Sequence, residues 1–230
     1  MQTAADVMSR PVITIDLLTP VAEIARLMSA HHIGGLPVVG DYLEVLGIVT
    51  VNDLIGHAQV AGERRQSWWH DFIANSSALA EDYAKRHGRL AQDLMSREVI
   101  TVERTTPVTE VAQTIERHRV GRAPVVRNGI LVGIVSRSDL IKSLAAGNDL
   151  SPVDHEDREL RERLIDELES HSWGRFLGRN IIVQDGVIHL FGLVQSDEER
   201  RAVRIAAENL PGARRVVNHL SLIRMDGYGL

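Results

Sequence analysis

Apolar residues along this chain fall in short runs at regular distances, not in one continuous stripe. The β-branched run Val12 to Ile15 is followed by Thr19-Pro20-Val21, then by Leu36 to Val39 and Val45 to Val49 on either side of Gly40-Asp41. The same series returns as Val99 to Val102, Thr106-Pro107-Val108, Ala123 to Val126 and Leu131 to Val135, the last two joined around Asn128-Gly129. Each copy therefore predicts strand, helix, strand, turn, strand, helix, with Thr19 or Thr106 capping the first helix and the proline in its first turn. In the second copy Val108, Val111, Ala112 and Ile115 stand at helical spacing and give that helix one apolar stripe.

The two series are copies of one another. Met8 matches Met95, Ser9 matches Ser96, Val12-Ile13-Thr14 matches Val99-Ile100-Thr101, and Pro37-Val38-Val39 matches Pro124-Val125-Val126, all at an offset of 87 positions. After the turn the offset becomes 86, as in Gly47 to Gly133 and Asp53 to Asp139, because one residue is gained or lost where that costs least. An internal duplication with a pseudo-twofold axis follows.

Both copies end on one plan: Gly47-Ile48-Val49-Thr50-Val51-Asn52-Asp53 and Gly133-Ile134-Val135-Ser136-Arg137-Ser138-Asp139. A hydroxyl and, three residues on, a carboxylate stand at a helix start, where unpaired N–H groups favour phosphate and the aspartate can accept from a ribose diol. The same spacing is also that of a capping box, with Thr50 or Ser136 as N-cap and the aspartate at the third helical position. Both readings remain open on the residues alone.

Beyond residue 150 the pattern changes. Asn148-Asp149-Leu150-Ser151-Pro152 reads as a turn-rich linker, Leu160, Leu164, Ile165 and Leu168 make a helical stripe, and Ile181 to Leu190 alternates around an Asp185-Gly186 hairpin turn. A charged helix (196–209) and an apolar strand (215–222) complete an αββαβ order. Arg200, Arg201, Arg204, Arg214 and Arg215 could face lipid head groups, but Glu198, Glu199 and Glu208 interleave with them, and Arg204 with Glu208 has the spacing of an ordinary surface pair.

Composition narrows the function classes. A net charge of -5 with mixed signs gives no electrostatic case for nucleic acid, and the absence of cysteine removes disulfides, thiolate metal sites and cysteine nucleophiles. The start Met1-Gln2-Thr3-Ala4-Ala5-Asp6 has no basic residue leading into an apolar run, so no signal peptide is expected and a cytoplasmic protein is. The ten histidines form no His-Glu-x-x-His motif, Asp154-His155-Glu156-Asp157 reads as a solvated linker or cap, and no P-loop, nucleophile elbow or dinucleotide fingerprint is present. Neither a catalytic residue nor a metal ligand is assigned, and a non-enzymatic protein is expected. Trp68, Trp69, Phe72 and Tyr83 gather in the helix-compatible insert, in a chain with only three residues each of Trp, Tyr and Phe, which calls for burial against the core or a second subunit.

The Met-Ser start, Val-Ile-Thr strand, Thr-Pro-Val segment, Pro-Val-Val strand and Gly-x-x-Thr/Ser-x-x-Asp ending together resemble the cystathionine-β-synthase-type (CBS) domain. The tail, by Asp185-Gly186-Val187, Leu190-Phe191-Gly192-Leu193-Val194, Glu199, Ala202, Ala206 and the segment Pro211 to Leu220, resembles a BON domain, with Ala213 where valine often follows the Pro-Gly. The expected fold is α/β (α+β): two βαββα repeats (1–56 and 91–147) forming a CBS pair, an insert (57–90), a linker (148–154) and an αββαβ BON-like domain (155–225).

The resemblance implies two composite clefts for an adenine nucleotide, AMP, ADP or ATP, with S-adenosylmethionine and NADH ranked behind. One cleft would combine Val12, Ile13, Ile33 and Gly34 with Ser136 and Asp139, the other Val99, Ile100, Val120, Gly121 and Arg122 with Thr50 and Asp53. Arg122 stands where some relatives place a phosphate ligand, against Gly35 in the first repeat, so the second cleft is the expected phosphate site; the alternative is a solvated strand-edge arginine. It also implies a regulatory sensor with BON-like output, a homodimer through the CBS modules, and a partner protein or phospholipid at the BON domain. A non-binding interaction scaffold is the alternative.

Overall fold

The computed structural model describes residues 2–62, 89–146, 153–174 and 177–223. Trp68, Trp69, Phe72 and Tyr83 of the insert, and linker residues 148–152, lie outside the described residues. The chain forms two compact units, Ile13–Val99 with Gly129–Leu131, and Met1–Val12, Ile100–Asn128 with Val132–Leu230. These units do not follow the linear order of the repeats.

The first unit contains α2 (Val21–Ala30), β1 (Gly35–Val39), β2 (Val45–Thr50), α3 (Val51–Gly62) and the single turn α4 (Ala91–Leu94). Its core joins Ile15, Ile24, Met28, Leu36, Val38 and Val49 to Ala91 and Met95. Thus α4, which by sequence opens the second repeat, packs on the first. Met95 explains a glycine: a Cβ at Gly47 would stand 2.4 Å from the Met95 sulfur, so only glycine lets the thioether lie on β2.

The second unit repeats the arrangement with the roles exchanged. The single turn α1 (Ala4–Val7) packs with β3 (Val102–Glu103), α5 (Val108–Arg117), β4 (Arg122–Arg127), α6 (Arg137–Ala145) and β5 (Ile130–Ser136), which belongs to this unit from Val132 onward. Here a Cβ at Gly133 would stand 2.3 Å from the sulfur of Met8. The Met-Ser start and the glycine of the later strand are two halves of one contact.

Two local expectations are corrected. Pro20 and Pro107 are themselves the N-caps, without a side-chain cap, and not first-turn residues behind capping threonines. The first helical N–H groups are instead satisfied by backbone, Val21 donating to the Arg89 carbonyl and Val108 to that of Gln2. Thr19 hydrogen-bonds back to Asp16. The opening strands are also shorter than expected: Ile15 makes one parallel bridge to Val38, and β3 pairs with β4 only at Val102 and Glu103. Ile15 donates to the Pro37 carbonyl and accepts from Val39; the next bond along the ladder would need an N–H that Pro37, like Pro124, lacks.

In the same unit the C-terminal domain has α7 (His155–Glu169), a 3-10 turn (Ser172–Gly174), β6 (Leu177–Gln184), β7 (Val187–Val194), α8 (Asp197–Glu208) and β8 (Arg215–Leu222), the αββαβ order read from sequence. The sheet order is β6-β7-β8, with β6 antiparallel and β8 parallel to β7. Leu160, Leu164, Ile165 and Leu168 of α7 meet Ile181, Val183, Ile188, Leu190, Val203 and Leu220. Asp185 and Gly186 take φ of 50° and 72°, the left-handed pair of a two-residue hairpin turn. Asn180 and Ile182, on the opposite face of β6, are buried as well, so this strand is covered on both sides. No described helix is long and apolar enough to cross a membrane.

Candidate nucleotide-binding residues and the seat of the C-terminal domain

Each helix-start motif is built by a strand running directly into a helix. In the first unit β2 ends at Thr50, and Asp53 Oδ2 accepts both the Thr50 N–H at 2.7 Å and its hydroxyl at 2.7 Å. In the second, β5 ends at Ser136, and Asp139 Oδ2 accepts the Ser136 N–H at 2.8 Å and its hydroxyl at 2.6 Å. Ser136 completes the capping box, since its hydroxyl also accepts the Asp139 N–H at 3.4 Å, whereas at Thr50 the described bonds are those to the aspartate alone. The first helical N–H of each motif is taken up separately by backbone: Val51 N–H donates to the Gly34 carbonyl and Arg137 N–H to that of Gly121.

The second carboxylate oxygen distinguishes the copies. Asp53 is half-buried, and its Oδ1 accepts no hydrogen bond from any described residue. Asp139 is 3% exposed, and its Oδ1 accepts from the Ser9 hydroxyl at 3.0 Å, Asn180 Nδ2 at 3.1 Å and Lys142 Nζ at 3.1 Å. A pair of motifs alike in sequence is thus chemically unlike.

The other expected residues divide between the units. Val99, Thr50, Asp53, Ile13, Ile33 and Gly34 belong to the first, and Val12, Ile100, Val120, Gly121, Arg122, Ser136 and Asp139 to the second. Ile13 and Ile33 pack on the first unit's core and Val120 on the second's. Arg122 opens β4 and is half-buried, not a solvated strand-edge residue; burial lowers its pKa from the ordinary guanidinium value, while the charge of Asp139 acts against that shift.

The C-terminal domain sits on residues 6–10 of its own unit. Arg158 pairs with Asp6, Arg161 Nη2 donates to the Met8 carbonyl at 3.1 Å, Asn180 Nδ2 to that of Val7 at 2.6 Å, and Arg179 Nε to that of Arg10 at 2.9 Å. Arg161 also donates to the Ile181 carbonyl, and burial, helped by the charge of Arg10, pulls its pKa down to about 10. Sequence reasoning missed these residues although a signal was present. Arg161 lies three, four and seven positions before Leu164, Ile165 and Leu168, on the apolar stripe itself, and Asn180 shares a strand face with Ile182.

On α8, Arg200 pairs with Asp197 and Arg204 with Glu208, as the spacing suggests. Asp197, Arg200 and Arg204, with Glu198, Arg201 and Asn218, line a depression of about 290 Å³. On the sheet, His189 and His219 share a hydrogen bond at 3.2 Å beside Phe191, and burial lowers the pKa of His189.

Comparison with known families decides what this architecture is. Residues 4–59 and 91–146 each match the CBS domain, and residues 156–224 match the BON domain. The chain is a CBS-domain pair followed by a BON domain. Similar proteins include hypoxic response protein 1 of Mycobacterium tuberculosis, 28% identical over 144 residues, which are 63% of this chain and 86% of that protein. The chloroplastic CBS domain-containing protein CBSX1 of Arabidopsis thaliana is 29% identical over 135 residues, 54% of this chain; the chain spans little more than half of that relative, 56%. Among solved structures, CBSX2 in complex with AMP superimposes with a TM-score of 0.56 at 24% identity, covering 64% of this chain and 99% of that one, which shows the CBS-pair fold. An acetoin utilization protein (AcuB) described as putative, from Vibrio cholerae, superimposes at 0.50 with 25% identity, covering 65% and 95%. In the inosine-5'-monophosphate dehydrogenase of Thermoplasma acidophilum, the similarity is confined to 21% of the length.

Proposed function

We propose that this CBS pair is a regulatory module that binds an adenine nucleotide of the AMP, ADP or ATP type and passes ligand state to the BON domain. The observation carrying this reading is the Asp53 carboxylate. One oxygen holds the helix start, while the other oxygen of this half-buried residue accepts from no described residue, which suits it to a ribose hydroxyl. The AMP complex of CBSX2, which shares the fold, supports an adenosine ligand. Thr50 and Val99, in the same unit as Asp53, are ligand residues we propose; Ile100, Val120, Gly121 and Arg122 are those we propose for the other unit, with Arg122 as a phosphate cation.

Calorimetric titration of the full chain with AMP, ADP, ATP, NADH and S-adenosylmethionine tests the reading. Binding of an adenine nucleotide is expected, and Asp53→Ala is expected to weaken it roughly tenfold or more, the effect of losing hydrogen bonds to a charged group. Heat from none of the ligands would leave an interaction scaffold as the better account.

We further propose a homodimer formed through the CBS helices. Ile55 of α3 and Ile141 of α6 are matched positions of the two repeats, both at least half exposed at 50% and 64%, and Leu144 adds a further apolar side chain at 62%. Light scattering should give twice the chain mass, and Ile55→Asp with Ile141→Asp should reduce it to one. A wild-type chain that is monomeric at high concentration contradicts the dimer.

A further inference from the structure

Asn180 makes an unusual choice for a buried amide. Its Nδ2 faces two acceptors, the Val7 carbonyl at 2.6 Å and Asp139 Oδ1 at 3.1 Å, so the amide cannot be turned over without setting oxygen against oxygen. Its own Oδ1 is buried with no partner among the described residues. Leaving an amide oxygen unsatisfied in the interior is costly, so this position carries a cost that leucine would avoid. What the amide gains is a hold on the same aspartate that the duplicated motif offers to a ribose.

We propose that Asn180 is a built-in competitor for ligand at Asp139. Together with the Ser9 hydroxyl and Lys142 Nζ, its amide crowds the Oδ1 that a ribose hydroxyl would use, and of the three donors it alone comes from β6, so ligand binding at Asp139 and the full seating of β6 exclude one another. This rests on the adenine-nucleotide reading above. Linkage makes the effect reciprocal: whatever affinity the ligand loses to Asn180, seating of the BON strand loses to the ligand. The other contacts on residues 6–10, from Arg158, Arg161 and Arg179, do not involve Asp139, so ligand loosens β6 at one point and leaves the domain tethered. Asp53 accepts from no corresponding amide among the described residues, and the two motifs therefore differ in what their occupation reports.

The test uses the full chain in an Asp53→Ala background, which leaves Asp139 as the remaining motif aspartate. Affinity for AMP and ATP is compared by calorimetry with and without Asn180→Leu, a substitution that keeps an apolar filling on this face of β6, and circular dichroism verifies the fold of each. Hydrogen exchange at residues 179–184 is followed in wild type with and without AMP. The expected results are at least tenfold tighter binding when Asn180 is replaced and faster exchange of those amides when AMP is bound. Equal or weaker binding in the double variant, with wild type still binding nucleotide, overturns the competition alone. No binding to wild type or to either variant overturns the competition and the nucleotide reading together.

Discussion

Asp139→Ala is expected to destabilise the protein by about 3 kcal/mol or more, the scale for removing one partner from a buried charged network. The carboxylate is 3% exposed and accepts from the Ser136 N–H and hydroxyl, the Ser9 hydroxyl, the Asn180 amide and Lys142. Alanine removes the acceptor that all of these donors share, and it does so where α6, the exchanged N-terminal segment and the BON strand meet. Asp139→Asn does not rescue it fully, because the new amide turns N–H donors toward groups that are themselves donors. Asp53→Ala is expected to cost only about 1 kcal/mol, the loss of a helix cap, because one oxygen of Asp53 accepts from no described residue. Urea unfolding of the two variants side by side measures the difference. Equal small losses would show that Asp139 anchors nothing, and its burial in the polar network would then be without energetic consequence.

How much of this was legible in the sequence depends on whether a feature is local. The hairpins, the apolar stripe of α7 and the Asp185-Gly186 turn are set by spacing within one element, and each appears where the periodicity puts it. The duplication was legible because a pseudo-symmetric module writes the same contacts twice. What spacing does not encode is the neighbour: nothing in Met8 or Gly133 says that they touch, although once the contact is seen their recurrence as Met95 and Gly47 follows. The shortened opening strands were legible in principle, since Pro37 and Pro124 have no N–H to extend the ladder. The motif aspartates show the limit most clearly. Their surroundings in sequence are alike, yet Asn180, 41 residues away, makes one of them an internal anchor. The warning was a polar residue in an apolar pattern, at Asn180 and again at Arg161.

Asp157→Ala is expected to cost the BON domain about 2–4 kcal/mol, because it removes two hydrogen bonds to a charged acceptor and leaves their donors without a partner. The left-handed backbone of Asp185 and Gly186, which lets β6 and β7 reverse in two residues, directs the N–H groups of both out of the ladder. Asp157, 4% exposed on α7, accepts both, Oδ2 from Asp185 at 2.7 Å and Oδ1 from Gly186 at 2.8 Å. The same turn carries the start of β8, since Arg214 N–H donates to the Gly186 carbonyl at 2.8 Å. One carboxylate therefore ties the helix, the hairpin and the parallel strand together. Gly186→Ala attacks the turn from the other side: at φ +72 an L side chain is strained, and its Cβ would stand 2.9 Å from the Arg214 side chain. Because both substitutions act on one turn, the double variant should lose less than the two single losses combined, the signature of coupled neighbours. Thermal unfolding of the four proteins of the cycle, with hydrogen exchange at residues 185 and 186, reads this directly. Strict additivity would mean that Asp157 stabilises α7 by itself and has no part in holding the hairpin.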